Sequence, residues 1–219
     1  MSKILVTGAN RGIGLELCKQ LSNRGDELIA VCRKSNAELQ CLNVRVIEDI
    51  DISASGSVDL LRNQLANERL DWLINNAGIL AVEMLDSLDF ETIERQFLVN
   101  AIGPLRVTAA LSGNLSNGSK VGIITSRMGS IEDNTSGGYY GYRMSKAAVN
   151  MAGASLAHDL KERGIAVALL HPGMVATEMT GGQGIPPAES VAGLIQRMDE
   201  LEIGQSGRFW HANGERLPW

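Results

Sequence analysis

A short apolar run, Ile4-Leu5-Val6, leads directly into Thr7-Gly8-Ala9-Asn10-Arg11-Gly12-Ile13-Gly14, and a helical pattern through Leu15, Leu17, Cys18 and Leu21 follows. The order strand, glycine loop, helix constrains the chain more than any other feature. Glycine permits a tight turn and lets a ligand approach the backbone, while the free N–H groups and dipole of the new helix favour an anion such as a phosphate. The spacing is TGxxxGxG rather than the commoner GxGxxG. A glycine cluster alone is compatible with an ordinary loop; its place between the first strand and the first helix makes a phosphate cradle the better reading.

The same alternation recurs. Apolar strand signals stand at Leu28–Cys32, Val44–Ile50, Leu70–Ile74, Val121–Thr125 and Ile165–Leu170, with helical patterns between them and a final strand at Arg208-Phe209-Trp210. Six strand-helix alternations predict a doubly wound parallel α/β sheet with helices on both faces and right-handed crossovers. With 219 residues, 44% of them hydrophobic, the chain can bury one substantial core, and we expect a single domain over residues 1–219. A net charge of −5 gives no reason to expect a nucleic acid partner. No stretch approaches the roughly eighteen uninterrupted apolar residues of a membrane span. With no leader signature at Met1–Val6, a cytoplasmic protein without a membrane partner is expected. Cys18, Cys32 and Cys41 lack CxxC spacing and read as reduced packing residues.

Ligands of such sheets bind at the carboxyl ends of the strands, and the polar signals of the chain fall there. The second strand ends in Arg33-Lys34, where an acidic residue would hold the 2′-hydroxyl of an NAD ribose. A guanidinium there suits a 2′-phosphate instead, with Arg11 as a second cation. The third strand closes at Asp51-Ile52, where Asp51 can accept from an adenine amino group and Asp49 is its rival. Asn75-Asn76-Ala77-Gly78 ends the fourth strand with small residues that allow close approach of a cofactor. A helix from about Phe90 past Asn100 should bend at Pro104, freeing a carbonyl near Asn100. Ser126 ends the fifth strand, and His171-Pro172-Gly173 the sixth.

Tyr142 and Lys146 lie four residues apart in a helix-forming run, one above the other on one face. A phenol with a pKa near about 10 is mostly protonated at neutral pH; an ammonium one turn away is expected to draw that value down, making Tyr142 a general acid or base. Taken alone, the pair is compatible with a solvated helix face. Its convergence with the other signals on one rim favours chemistry. His158, His171 and His211 have no ligand or triad spacing and read as structural, and no metal site is expected.

Together TGANRGIG, NNAG, Asn100, Ser126, Tyr142-Arg143-Met144-Ser145-Lys146, Pro172-Gly173 and Thr177 resemble the short-chain dehydrogenase/reductases of the classical type, over nearly the whole chain. Gly129-Ser130-Ile131, Asn134, Gly137-Gly138, Tyr142-Arg143 and the ending Leu217-Pro218-Trp219 are similar to sniffer-type carbonyl reductases and C-factor signalling proteins. The separation of Ser126 from Tyr142 exceeds the commonest family spacing, so an extra loop turn must bring them together. The resemblance implies a Rossmann fold and NADP(H) bound by Gly8, Asn10, Arg11, Gly12, Ile13, Gly14, Arg33, Asp51, Ile52, Asn75, Asn76, Ala77, Gly78, Tyr142, Lys146, Pro172, Gly173, Val175 and Thr177. It also implies a catalytic set of Asn100, Ser126, Tyr142 and Lys146. The activity implied is NADPH-dependent reduction of a small carbonyl to an alcohol, with oxidation of an alcohol and a cofactor-binding signalling or redox-sensing role as alternatives. Ala147, Ala148, Ala152, Gly153, Ala154 and Ala157 leave room for close helix approach, and the family commonly dimerises through this helix, so a homodimer is expected. Gly181 to Pro187 has the composition of a short lid, and Trp210 and Trp219 read as packing residues.

Overall fold

The computed structural model describes all 219 residues. β1 (Lys3–Thr7) pairs in parallel with β2 (Glu27–Val31) on one side and β4 (Leu70–Asn75) on the other. β3 (Arg45–Ile47), β5 (Leu115–Ile124), β6 (Ala166–His171) and β7 (Arg208–His211) complete a seven-stranded parallel sheet in the order β3-β2-β1-β4-β5-β6-β7. The chain winds outward from β1 to β3, returns to β4, and winds out the other way. A crevice therefore opens at the carboxyl ends of β1 and β4.

Both faces of the sheet are buried, as parallel strands require. In β1 the side chains alternate: Leu5 packs into one apolar layer, Ile4 and Val6 into the other. The Leu5 layer lies under α3 (Ser55–Leu65), α5 (Gly103–Ala110) and α6 (Tyr140–Asp159). The opposite layer lies under α1 (Gly12–Asn23), the short α2 (Ala37–Gln40) and α7 (Pro187–Glu200). α4 (Phe90–Phe97) precedes α5 and packs on α6. No helix is long and apolar enough to cross a membrane.

Three local expectations need correction. The third strand stops at Ile47 rather than Ile50, because Asp49 turns left-handed with φ 61° and its N–H closes back on the Arg33 carbonyl at 3.2 Å. At the start of α3, Ser57 Oγ accepts from the Asp51 N–H at 2.7 Å and ties down the preceding loop. The bend before Pro104 is a π-helical turn over Leu98–Ile102, in which the Gly103 N–H reaches back to the Leu98 carbonyl. Lacking an N–H, Pro104 cannot bond the Asn100 carbonyl one turn before it. Finally, the expected lid is fastened: Ile185 N–H bonds the Met174 carbonyl at 2.8 Å, Ala176 N–H the Ile185 carbonyl at 2.9 Å, and Gly182 N–H the Thr177 carbonyl at 2.8 Å.

The small-residue face of α6 is also partly spent within the chain. A Cβ at Gly153 would stand 2.6 Å from Leu169 Cδ2, and Ala157 is buried, so these two residues bring α6 down onto its own sheet. Cys18 and Cys32 are buried packing residues as read, whereas Cys41 is exposed. Trp219 stacks on Phe209 with ring centroids 5.6 Å apart, and Trp210 packs against the α1/α7 layer.

Candidate active site

The glycine loop closes over the ends of β1 and β4. Gly14 is fully packed: a Cβ there would fall 2.2 Å from the Gly8 carbonyl oxygen, and one at Gly8, where φ is +66°, would fall 2.8 Å from Ala77 Cα. No larger residue fits. Thr7 Oγ1 accepts the N–H groups of Asn76 and Ala77 at 3.0 and 3.1 Å, and Asn76 Nδ2 donates to the Thr7 and Gly8 carbonyls. The Asn76 side chain thus braces the cradle. Asn75 is buried and donates to Thr108 Oγ1 of α5 at 3.0 Å. No side chain caps the first turn of α1 and no acidic residue lies in it, so its N–H groups and positive dipole end face the cleft. This donor set fits a pyrophosphate.

At the end of β2 the Arg33 side chain is exposed and makes no hydrogen bond or ion pair within the chain. Nearby, Asp51 Oδ1 accepts from Ser53 N–H and Oγ, and these bonds hold its carboxyl below the usual range, with Arg33 adding to the effect. Ile52 is buried against Gly103 and contributes no polar side-chain contact. Arg11 departs from the expectation: its guanidinium pairs with Glu178 at 2.5 Å, joining the glycine loop to the 3₁₀ turn after Thr177. Asn10 Nδ2 donates to the Lys34 carbonyl at 2.8 Å, so it joins the glycine loop to β2.

On the other side of the crevice, Ser126 stands two residues past the end of β5 and caps a short 3₁₀ turn, its Oγ accepting the Met128 N–H at 3.2 Å. The extra loop turn anticipated between Ser126 and Tyr142 docks on α6. A Cβ at Gly129 would lie 2.7 Å from the backbone carbon of Lys146, so the turn rests directly on the helix. Ser126, Tyr142 and Lys146 are all buried. Burial pushes the Tyr142 phenol up to about 12, and the hydroxyl of Ser126 facing it pulls the other way. Burial likewise pulls Lys146 down to about 8. Lys146 Nζ lies 5.7 Å from the Tyr142 ring centroid and donates to the Ile124 carbonyl at 2.9 Å rather than to the phenol. The lower Tyr142 pKa expected from Lys146 is therefore not met within the polypeptide, because desolvation is the larger effect.

Asn100 sits in the π turn. Its Oδ1 accepts the Ile79 N–H at 2.8 Å and its Nδ2 donates to the Ile79 carbonyl and to Ser145 Oγ. A Cβ at Gly78 would meet Asn100 Oδ1 at 3.3 Å and Lys146 Nζ at 3.7 Å, so these groups line one floor of the cleft. After β6, the Pro172 carbonyl accepts from Ser190 Oγ, Gly173 takes φ +85°, and Val175 is buried. Thr177 caps the following 3₁₀ turn, and a Cβ at Gly12 would come within 3.4 Å of its methyl, so this segment reaches the glycine loop.

Residues 2–185 match the family model for short chain dehydrogenases. The chain belongs to that family. It is 43% identical over 226 residues, the full length of both chains, to 1-hydroxy-2-glutathionyl-2-methyl-3-butene dehydrogenase of Rhodococcus sp. strain AD45. It is 46% identical over 154 residues, 68% of this chain and 93% of the relative, to the C-signal protein of Myxococcus xanthus. Among solved structures, carbonyl reductase Sniffer of D. melanogaster superposes with a TM-score of 0.92 at 30% identity, all of both chains being covered. The NADPH-bound carbonyl reductase from chicken fatty liver gives a TM-score of 0.91 at 29% identity, covering 100% of this chain and 99% of that one. The resemblance to sniffer-type reductases and C-factor proteins is thus borne out.

Several residues of this short-chain dehydrogenase site escaped the sequence reading. Asn150 accepts from Thr125 Oγ1 at 2.6 Å and donates to the Gly129 carbonyl, gripping both sides of Ser126 from α6. The signal was available: Asn150 continues the spacing of four that joins Tyr142 to Lys146. Glu83 and Gln96, both buried, gave no local signal. His171 and His211 meet edge to face 4.9 Å apart at the ends of β6 and β7. Burial pulls His171 down to about 3, so it stays neutral at working pH.

Proposed function

We propose that this short-chain dehydrogenase is an NADPH-dependent carbonyl reductase converting a small aldehyde or ketone to the alcohol. The observation that carries the reading is the buried Ser126–Tyr142–Lys146 group beside an uncapped glycine cradle that fits a pyrophosphate. The NADPH bound by the chicken reductase, together with the unpaired Arg33, supports the phosphorylated cofactor. Gly8 to Gly14 would hold the pyrophosphate, Arg33 the 2′-phosphate, Asp51 the adenine and the Val175–Thr177 segment the nicotinamide end. The cofactor supplies the hydride when bound. Ser126, whose Oγ proton is not used by the Met128 N–H, donates to the carbonyl oxygen as charge develops there. Tyr142 delivers its proton to that oxygen, and its high pKa keeps it protonated until the transfer. Lys146, charged below about pH 8, stabilises the phenolate left behind. Asn100 holds the floor of the cleft beside Lys146, where a water could carry the replacement proton.

Two neighbouring readings have specific support. The Rhodococcus relative is named as a dehydrogenase, which favours alcohol oxidation by the same groups in reverse. The C-signal relative favours a signalling role. A panel of aldehydes, ketones and diketones with NADPH, and of alcohols with NADP+, followed by nicotinamide absorbance, tests all three. Turnover of carbonyls supports reduction, turnover of alcohols alone supports oxidation, and tight cofactor binding without turnover supports the signalling role. A homodimer through α6 is part of the proposal, and a monomer in sedimentation at micromolar concentration would remove it.

A further inference from the structure

Glu83, in the connection between β4 and α4, is a buried carboxylate for which the proposed chemistry has no use. It has no cationic partner; its hydrogen bonds run to Gln96 and to the start of α6. Its Oε1 accepts from Gln96 Nε2 at 2.5 Å, its Oε2 accepts the Gly141 N–H at 3.2 Å, and its backbone carbonyl accepts the Tyr139 N–H at 2.8 Å. Gln96 is fully buried in α4 and is anchored in turn, its Oε1 accepting the Ala81 N–H at 3.0 Å.

These contacts supply what α6 lacks. The chain enters α6 through Gly137, Gly138 and Tyr139, all left-handed, and Tyr139 gives the helix no side-chain cap. The first N–H groups of a helix are left without partners, and its N-terminus favours negative charge. Glu83 meets both needs from outside the helix. The fit is close: a Cβ at Gly141 would come within 2.4 Å of Gln96 Nε2 and 3.1 Å of Glu83 Oε1. The next residue in the chain is Tyr142.

We propose that Glu83, oriented by Gln96, is a positioning residue for Tyr142: it fixes the first turn of α6 and thereby the place where the phenol meets Ser126. The proposal rests on reading Tyr142 as the proton donor. A misplacement of about 1 Å at a reacting group can cost on the order of a hundredfold in rate, so loosening this turn acts on turnover before it acts on cofactor binding.

The test is steady-state NADPH-dependent reduction of the best carbonyl from the panel, with NADPH fluorescence titration, on Glu83→Leu, Glu83→Gln and the pair Glu83→Gln with Gln96→Glu, beside Tyr142→Phe. Glu83→Leu should lower kcat by about tenfold or more while the NADPH Kd stays within about twofold. Glu83→Gln keeps an oxygen for the Gly141 N–H but turns an amide N–H on Gln96 Nε2, donor against donor, so kcat should fall there too. Combining Glu83→Gln with Gln96→Glu restores one donor and one acceptor at that contact and should recover kcat to within about threefold of wild type, and this recovery decides the matter if the leucine variant does not fold. Wild-type kcat in both single variants, a Kd that weakens in step with kcat, or no recovery in the paired variant would overturn the proposal. If Tyr142→Phe itself keeps turnover, the proposed function has failed and this inference with it. If Tyr142→Phe collapses while the Glu83 variants do not, only the inference has failed.

Discussion

The half of the sheet from β1 to β4 and the half from β5 to β7 meet at one crevice, yet they are built from different materials. The first offers mostly backbone, with glycines packed against Ala77 and an uncapped helix end, beside the unpaired side chain of Arg33. The second offers buried side chains, Ser126, Tyr142 and Lys146, held by partners from α4, the β4–α4 connection and the body of α6. A cradle of backbone N–H groups is fixed by local geometry. A buried side-chain group depends on contacts that are distant in sequence, and burial itself sets its protonation.

The largest effect should come from the catalytic half alone. Tyr142→Phe removes the acid and keeps the ring, so kcat should fall by at least about a hundredfold, with the NADPH Kd little changed. Steady-state rates and fluorescence titration measure the two quantities separately.

In the cofactor half the effect should appear in the opposite column. One charge-assisted hydrogen bond from Arg33 to a 2′-phosphate contributes roughly 1.5–3 kcal/mol, or a preference for NADPH over NADH of tens-fold. Arg33→Asp should abolish or reverse that preference, more so at low salt. Comparing kcat/KM with both cofactors in wild type and variant checks it, and a ratio that does not move assigns Arg33 to solvent. Arg11, already paired with Glu178, should contribute less.

The pH response sharpens the contrast further. Lys146 titrates at about 8 in the fold, so reduction should be level below that value and fall toward tenfold per pH unit above it. Its usual value is 10.5, so between about 8 and 10.5 the unfolded chain binds the extra proton. Stability should therefore rise with pH across this window, by up to about 3 kcal/mol, while activity declines. The penalty is fully present below about 8. Thermal unfolding of wild type against Lys146→Met from pH 7 to 10 isolates the contribution, and a difference that does not change with pH would contradict it.

The smallest effect is expected at Asn150. Asn150→Leu strands the Thr125 hydroxyl and releases the Gly129 carbonyl, costing about 1–3 kcal/mol of stability and a few-fold in kcat. Denaturant unfolding and steady-state rates read both.

The same contrast explains what could be read in the sequence. The glycine loop, the strand ends and the Tyr142–Lys146 pair are local patterns, and period and spacing carry them. Seven parallel strands follow from the alternation of apolar runs. Glu83 is a single acid in an irregular stretch, and only the approach of α4 and α6 makes it a cap. The Tyr142 pKa went the wrong way for a related reason. Spacing shows that a lysine is near, but not how completely the pair is buried. Asp49 ended the third strand early by a left-handed turn that no apolar pattern reveals. The Gly181–Pro187 composition suggested a lid, whereas three backbone hydrogen bonds pin the segment.

The central claim is that recognition of the cofactor's 2′-phosphate and proton donation are carried by separate parts of one crevice. Titrating NADPH and NADH into Tyr142→Phe, Arg33→Asp and the double variant by nicotinamide fluorescence tests it most directly. The account predicts that Tyr142→Phe binds NADPH within about twofold of wild type, that Arg33→Asp loses the tens-fold preference, and that the two changes add in the double variant. Loss of NADPH binding in Tyr142→Phe, or a preference for NADPH that survives Arg33→Asp, would contradict it.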